Sequence, residues 1–188
     1  MILKALALAI AAIPSFSPAF YAAGPAVPAS RLPQGIEAAI SVPTGQPGAT
    51  EYAWLMAWSD SLRHFTQIGW ELEPTHGGPA IPAFLFSYTA WPGSQWTEPN
   101  VPIAYSGRQR NGPYVRGSIT VRIVPVSGTA ADTRRWYADE VLVGSRWVTM
   151  DRYPLTDAVF AAYVESYGGR VLVACFRFAE RLSSTCAG

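Results

Sequence analysis

Lysine is nearly absent from this chain. Lys4 is the only one in 188 residues, so every other cation is an arginine. Charge of either sign is scarce: 14% of residues are charged against 49% hydrophobic, and the formal net charge is +1. That balance excludes a binder that grips nucleic acid through bulk charge, and the apolar content excludes a disordered chain. Histidine is as rare as cysteine. His64 and His76 stand far in sequence from Cys175 and Cys186, with no ligand spacing, so no metal and no cofactor is expected. Beyond the first residues no apolar run is long enough for a membrane-spanning helix, and stable membrane insertion is not expected. Several chemistries are absent too: there is no Gly-x-Ser-x-Gly elbow, no His-Glu-x-x-His, no phosphate-binding glycine loop and no dinucleotide fingerprint.

What is present begins with an address. "MILKALALAIAAIPSF" has one cation and then a short apolar run, followed by small residues in "SPAFYAAGPAVPAS". This reads as a secretory signal peptide with cleavage after Ala22, Ala26 or Ala29, the later two preferred for their smaller −3 residues. Residues 1–29 are therefore assigned to a leader and short linker, and 30–188 to one exported, soluble domain, extracellular or periplasmic. In such an oxidising compartment Cys175 and Cys186 are expected to form one disulfide that clips the tail to the last strand.

The rest of the chain reads as short strands between turn residues. They are expected near 36–42, 52–58, 64–73, 83–91, 115–126, 135–143, 146–151, 158–166 and 170–179, with "GRQRNGP" among the breakers. "VLVGSRWV" carries the two-residue Gly144-Ser145 turn of a tight hairpin, with glycine first. No segment beyond the leader has convincing helical periodicity, and there is no fixed repeat. The fold class is all-β, an antiparallel two-sheet sandwich in a single domain, because several strands alternate cleanly and bury one face.

"HFTQIGWELEP", residues 64–74, shows that alternation best. Thr66, Ile68, Trp70 and Leu72 form a core stripe. Phe65, Gln67, Gly69, Glu71 and Glu73 point the other way, and there Glu71 and Glu73 are expected to be solvated. Gly69 is expected to leave room above the sheet for a substrate backbone.

With "ISVPTGQPGATEYAWLMAWSDSLRHFTQIGWELEP" and "AFLFSYTAWP" in view, the chain resembles the opening half of the glutamic peptidases, over about residues 36–92. The shared order is a strand ending in Val-Pro, a glycine turn, a tryptophan strand, a Gln-hydrophobic-Gly strand, and an aromatic strand ending in Trp-Pro. Gln-Ile-Gly-Trp and Leu-Phe-Ser-Tyr-Thr-Ala are also similar to the neprosin branch, which uses paired glutamates. The resemblance implies a concanavalin-like jelly roll and a Gln–Glu dyad active at acidic pH. In it the glutamate moves protons to and from water, and the amide orients the water and stabilises the oxyanion. Gln67 matches the glutamine. The glutamate's late-strand motif has its counterpart in "VFAAYVESYGG", where Ala162 stands at the catalytic position. Glu165 is on the same strand but an odd number of residues away, so a bulge is needed to turn it to the same side. Failing that, Glu71, Glu73 or Glu140 supplies the carboxyl group, or it is missing.

The catalytic candidates are thus Gln67 and Glu165. Trp58, Glu71, Tyr88 and Trp91, with Trp96, are candidates to line a cleft that grips peptide or sugar, whereas Trp54 and Trp70 are expected in the core. Arg108, Arg110 and Arg116 are expected in a solvated basic loop. Two functions from different classes follow. One is a secreted glutamic-type endopeptidase, or a degenerate relative, acting as a monomer on peptide or protein. The other is a non-catalytic sandwich that binds carbohydrate or protein on its concave face, needing aromatic platforms but no amide–carboxylate pair.

Overall fold

A computed structural model describes residues 19–45, 47, 49–59, 64–73, 83–90, 107–128, 135–167, 172–179 and 183–187. Thirteen strands make two antiparallel sheets, and no α-helix occurs among these residues. The strands are β1 Ala19–Ala22, β2 Val27–Pro28, β3 Ile36–Ser41, β4 Glu51–Trp58, β5 Phe65–Leu72, β6 Phe84–Ala90 and β7 Gly107–Tyr114. They continue with β8 Ser118–Val126, β9 Arg135–Val143, β10 Arg146–Leu155, β11 Val159–Ser166, β12 Ala174–Phe178 and β13 Ser183–Ala187. The first sheet runs β1-β11-β4-β5-β6-β7, with β2 also on β11; the second runs β10-β9-β8-β3-β12-β13. The all-β two-sheet sandwich is what the sequence leads one to expect.

The sheets meet through one set of alternate positions. From the first come Ala53, Leu55 and Ala57 of β4, Ile68, Trp70 and Leu72 of β5, and Phe160, Ala162 and Val164 of β11. From the second come Ile36, Ala38 and Ile40 of β3, Val121 and Ile123 of β8, Tyr137 and Val141 of β9, and Phe176 of β12. β-branched and aromatic side chains suit these positions because they pack well on a pleated surface. Trp70 spends its one polar atom inside the core, Nε1 donating to the Ser41 carbonyl at 3.0 Å.

The hairpin and the disulfide are where they were expected. Val143 and Arg146 close the β9–β10 turn, and Gly144 has φ +63°, a conformation that costs glycine nothing. Cys175 and Cys186 are bonded across β12 and β13, so the clipped tail is itself a strand.

Three segments correct the composition reading. "GRQRNGP" is not a breaker: it forms most of β7 and pairs with β6 past an irregularity at Phe84/Phe86. As an edge strand it needs a partner on one side only, which tolerates glycine and proline. Residues 19–28, read as leader and short linker, supply β1 and β2 along β11. Residues 183–187, given no element, supply β13.

Candidate functional site

The outer face of the first sheet, away from the second, is also aromatic. Trp54, Met56, Trp58, Tyr88, Ala161 and Tyr163 form a separate buried cluster there, with Phe20, Tyr52 and Phe65 packed against it. Their rings meet edge-on or tilted, a favourable arrangement for aromatic quadrupoles. Phe20 lies 6.5 Å from Trp54 and 6.4 Å from Tyr163, Tyr52 lies 5.9 Å from Trp54, and Phe65 lies 5.5 Å from Tyr88. Trp54 is therefore buried as expected, but under this face rather than between the sheets. Trp58 and Tyr88, candidates for a cleft wall, are buried in the same cluster. Trp91, Trp96 and His76 lie outside the described residues, as do the side chains of Arg108 and Arg110.

Register orders this face into rows. Phe20, Glu165, Tyr52 and Glu71 stand side by side across β1, β11, β4 and β5. One step along come Tyr163, Trp54 and Gly69, and then Ala161, Met56, Gln67 and Tyr88. Glu165 and Gln67 thus share a face with no bulge in β11, because the pairing with β4 is regular throughout. Ala162, an odd number of residues from Glu165, points into the core. The structure does not bring Glu165 and Gln67 together. They are four positions apart in register and two strands apart laterally, which is about 13 Å along the strands and about 10 Å across them. The position opposite Gln67 on β11 is Ala161.

The carboxylates gather around Tyr52 instead. The Tyr52 hydroxyl donates to Glu71 Oε1 at 3.0 Å, and Glu165 flanks the same tyrosine on the other side. Glu71 is 6% exposed, which overturns the expectation that it is solvated, and Glu165 is 7% exposed; Glu73, just past the strand end, is exposed as expected. The aromatic neighbours shield both from water. Burial pushes the Glu71 carboxyl up to about 7, against the pull of the Tyr52 hydrogen bond, with the Glu73 charge adding to the rise. Glu140, a third alternative, is on the other sheet, paired with Arg122 at 2.6 Å. Gly69 answers to a different need from the one expected. A β-carbon there would sit 1.8 Å from the Ala53 carbonyl oxygen and 2.7 Å from Trp54 Cα, so β4 itself approaches too closely for any side chain.

A second buried carboxyl group went unread in the sequence. Asp139 of β9 is 0% exposed and reaches across to the first sheet. It accepts hydrogen bonds from Tyr153 at 2.5 Å, from Ser87 at 3.0 Å, and from Thr66, whose hydroxyl also contacts Thr89 at 3.1 Å. Burial raises its carboxyl to about 7, with the three hydroxyls pulling down and Asp151 adding to the rise. The signal was there: threonine in the apolar stripe of β5, and aspartate between Tyr137 and Val141 on the inward face of β9. Glu51, at the end of β4, is also fully buried, accepts the Leu172 backbone N–H at 3.1 Å, and is pushed by burial to about 7.

No family model and no curated protein matches the chain. Among solved structures it is similar to a crystal structure of scytalido-glutamic peptidase with a transition state analog inhibitor. The identity is 12%, over 90% of this chain and 82% of that one, with a TM-score of 0.40. That is a distant structural similarity.

Proposed function

We propose that this protein is an exported β-sandwich of the glutamic-peptidase type, a degenerate relative that holds an extended peptide across the outer face of its first sheet without a Gln67–Glu165 dyad. The observation that carries this reading is the row of Ala161, Met56, Gln67 and Tyr88, in which the amide faces no carboxylate. An amide can pair with a peptide backbone as donor and acceptor, but it cannot take a proton from water. Gln67, Phe65 and Tyr52 are half-buried and offer that face one amide and two rings. The Cys175–Cys186 bond supports an oxidising compartment.

Glu71 favours a second reading, an acid endopeptidase. A carboxyl group near 7 beside a phenol is protonated in acid and can deliver its proton to a leaving amine, with Glu165 as the second carboxyl group in the same row. One experiment separates the two. Exported protein is incubated with an unfolded protein substrate between pH 3 and 6, beside the Gln67→Ala, Glu71→Gln and Glu165→Gln variants, and peptide and oligosaccharide binding are measured in parallel. The expected result is peptide binding weakened by Gln67→Ala, with no cleavage above background. Cleavage abolished by both Gln67→Ala and Glu165→Gln would restore the dyad. Cleavage abolished by Glu71→Gln alone would establish the second reading, and oligosaccharide binding without peptide binding would replace both.

A further inference from the structure

The small residues after the leader offer cleavage at Ala22, Ala26 or Ala29, yet the chain through these positions is built into the first sheet. Each cut has a physical cost. A cut after Ala22 removes β1, strips Phe20 from Trp54 and Tyr163, and bares the edge of β11, the strand that carries Glu165. Unpaired edges of this kind invite pairing with other chains. A cut after Ala26 also removes Ala23, which is 3% exposed and donates its N–H to the Ala162 carbonyl at 2.9 Å. With it go Gly24 and Pro25, which help line a cavity of about 70 Å³ against Phe160 and Ala162, both core residues. A cut after Ala29 removes β2 as well, and Ala29 itself, 5% exposed and bonded to the Ala158 carbonyl at 2.8 Å.

Resting on the reading that the chain is exported, we infer that processing falls between Ala19 and Phe20 and that β1 remains as a fixed wall of the site. Ser17 and Ala19 put small residues at the −3 and −1 positions, the pattern that export cleavage requires. This cut removes only the outermost rung, Ala19 opposite Ser166, and leaves Phe20, Tyr21 and Ala22 on Glu165, Val164 and Tyr163. The Phe20 ring then closes the aromatic cluster at the end where Glu165 lies, which limits the approach of water to that carboxylate.

The test is expression of the full sequence in a secreting host, with intact mass and N-terminal sequencing of both the exported and the cell-retained protein. The exported form is expected to begin at Phe20. A start at Ala23, Val27 or Ser30 overturns the inference entirely while leaving export intact. A start upstream of Phe20 overturns the assigned cut. A chain found only inside the cell, still beginning at Met1, overturns the export reading and this inference with it. The wall is tested separately with Phe20→Ala and the milder Phe20→Leu in the exported chain. Tryptophan emission is expected to shift to longer wavelength and acrylamide quenching to rise, more for alanine than for leucine, and both effects are expected to vanish on a Trp54→Phe background. Emission and quenching unchanged in Phe20→Ala overturn the wall.

Discussion

The two faces of the first sheet are both buried and both aromatic, but they treat their carboxyl groups differently. On the inner side Asp139 receives three hydroxyl donors from β5, β6 and β10, so both its oxygens are engaged and the two sheets are joined through it. On the outer side, among the described residues, Glu71 receives one, from Tyr52. A buried carboxyl group with all its partners inside the fold is a structural element; one with a single partner retains acceptor capacity for something else. The difference separates a core from a site when composition does not.

The largest expected effect concerns pH. Asp139, Glu51 and Glu71 all lie near 7 when folded, above their ordinary values near 4, and among the described residues no cation pairs with any of them. The folded state therefore holds protons that the unfolded chain has released. Their contribution to stability is complete below about pH 4 and is lost as pH rises through about 7. For Asp139 alone the rise from near 4 to about 7 corresponds to about 4 kcal/mol. Urea unfolding at pH 4 and pH 8 should show a higher midpoint at pH 4, and Asp139→Asn should shrink the gap more than Glu71→Gln does. Equal midpoints in the wild type would break the contrast between the faces.

Next comes packing. Trp70→Ala, between the sheets, should cost about 4 kcal/mol, as for other large core aromatics. Trp54→Ala should cost less, because its cluster packs against one sheet only; equal losses by calorimetry would make the outer face a second core rather than a site. Gly69→Ala should cost about 2 kcal/mol, since its β-carbon must push β4 away. Hydrogen exchange should then accelerate along the β4–β5 pairing specifically. The smallest effect is expected from Tyr52→Phe, about 1 kcal/mol. Losing that donor should move the Glu71 carboxyl further up, as read by carboxyl-carbon NMR titration, and a downward or absent shift would sink the assignment.

Much of this molecule was legible in its residues. The stripe Thr66, Ile68, Trp70 and Leu72, the glycine-first hairpin at 144–145, and the Cys175–Cys186 pair depend on period, turn geometry and closeness in sequence, all of them local properties. The strandedness of 107–114 was not legible, because arginine, asparagine, glycine and proline become a strand only when a neighbouring edge supplies hydrogen bonds. Nor was the fate of Glu165. Its side of β11 follows from counting, but its neighbours follow from how β11 slides along β4, and that register is set by the whole inner face packing at once. Sequence by itself determined which residues alternate and which atoms can bond. Only the tertiary structure decided that Glu165 stands beside Tyr52, in the row of Glu71, rather than beside Gln67, because distance between strands is a property of the assembled sheet and not of any one of its segments.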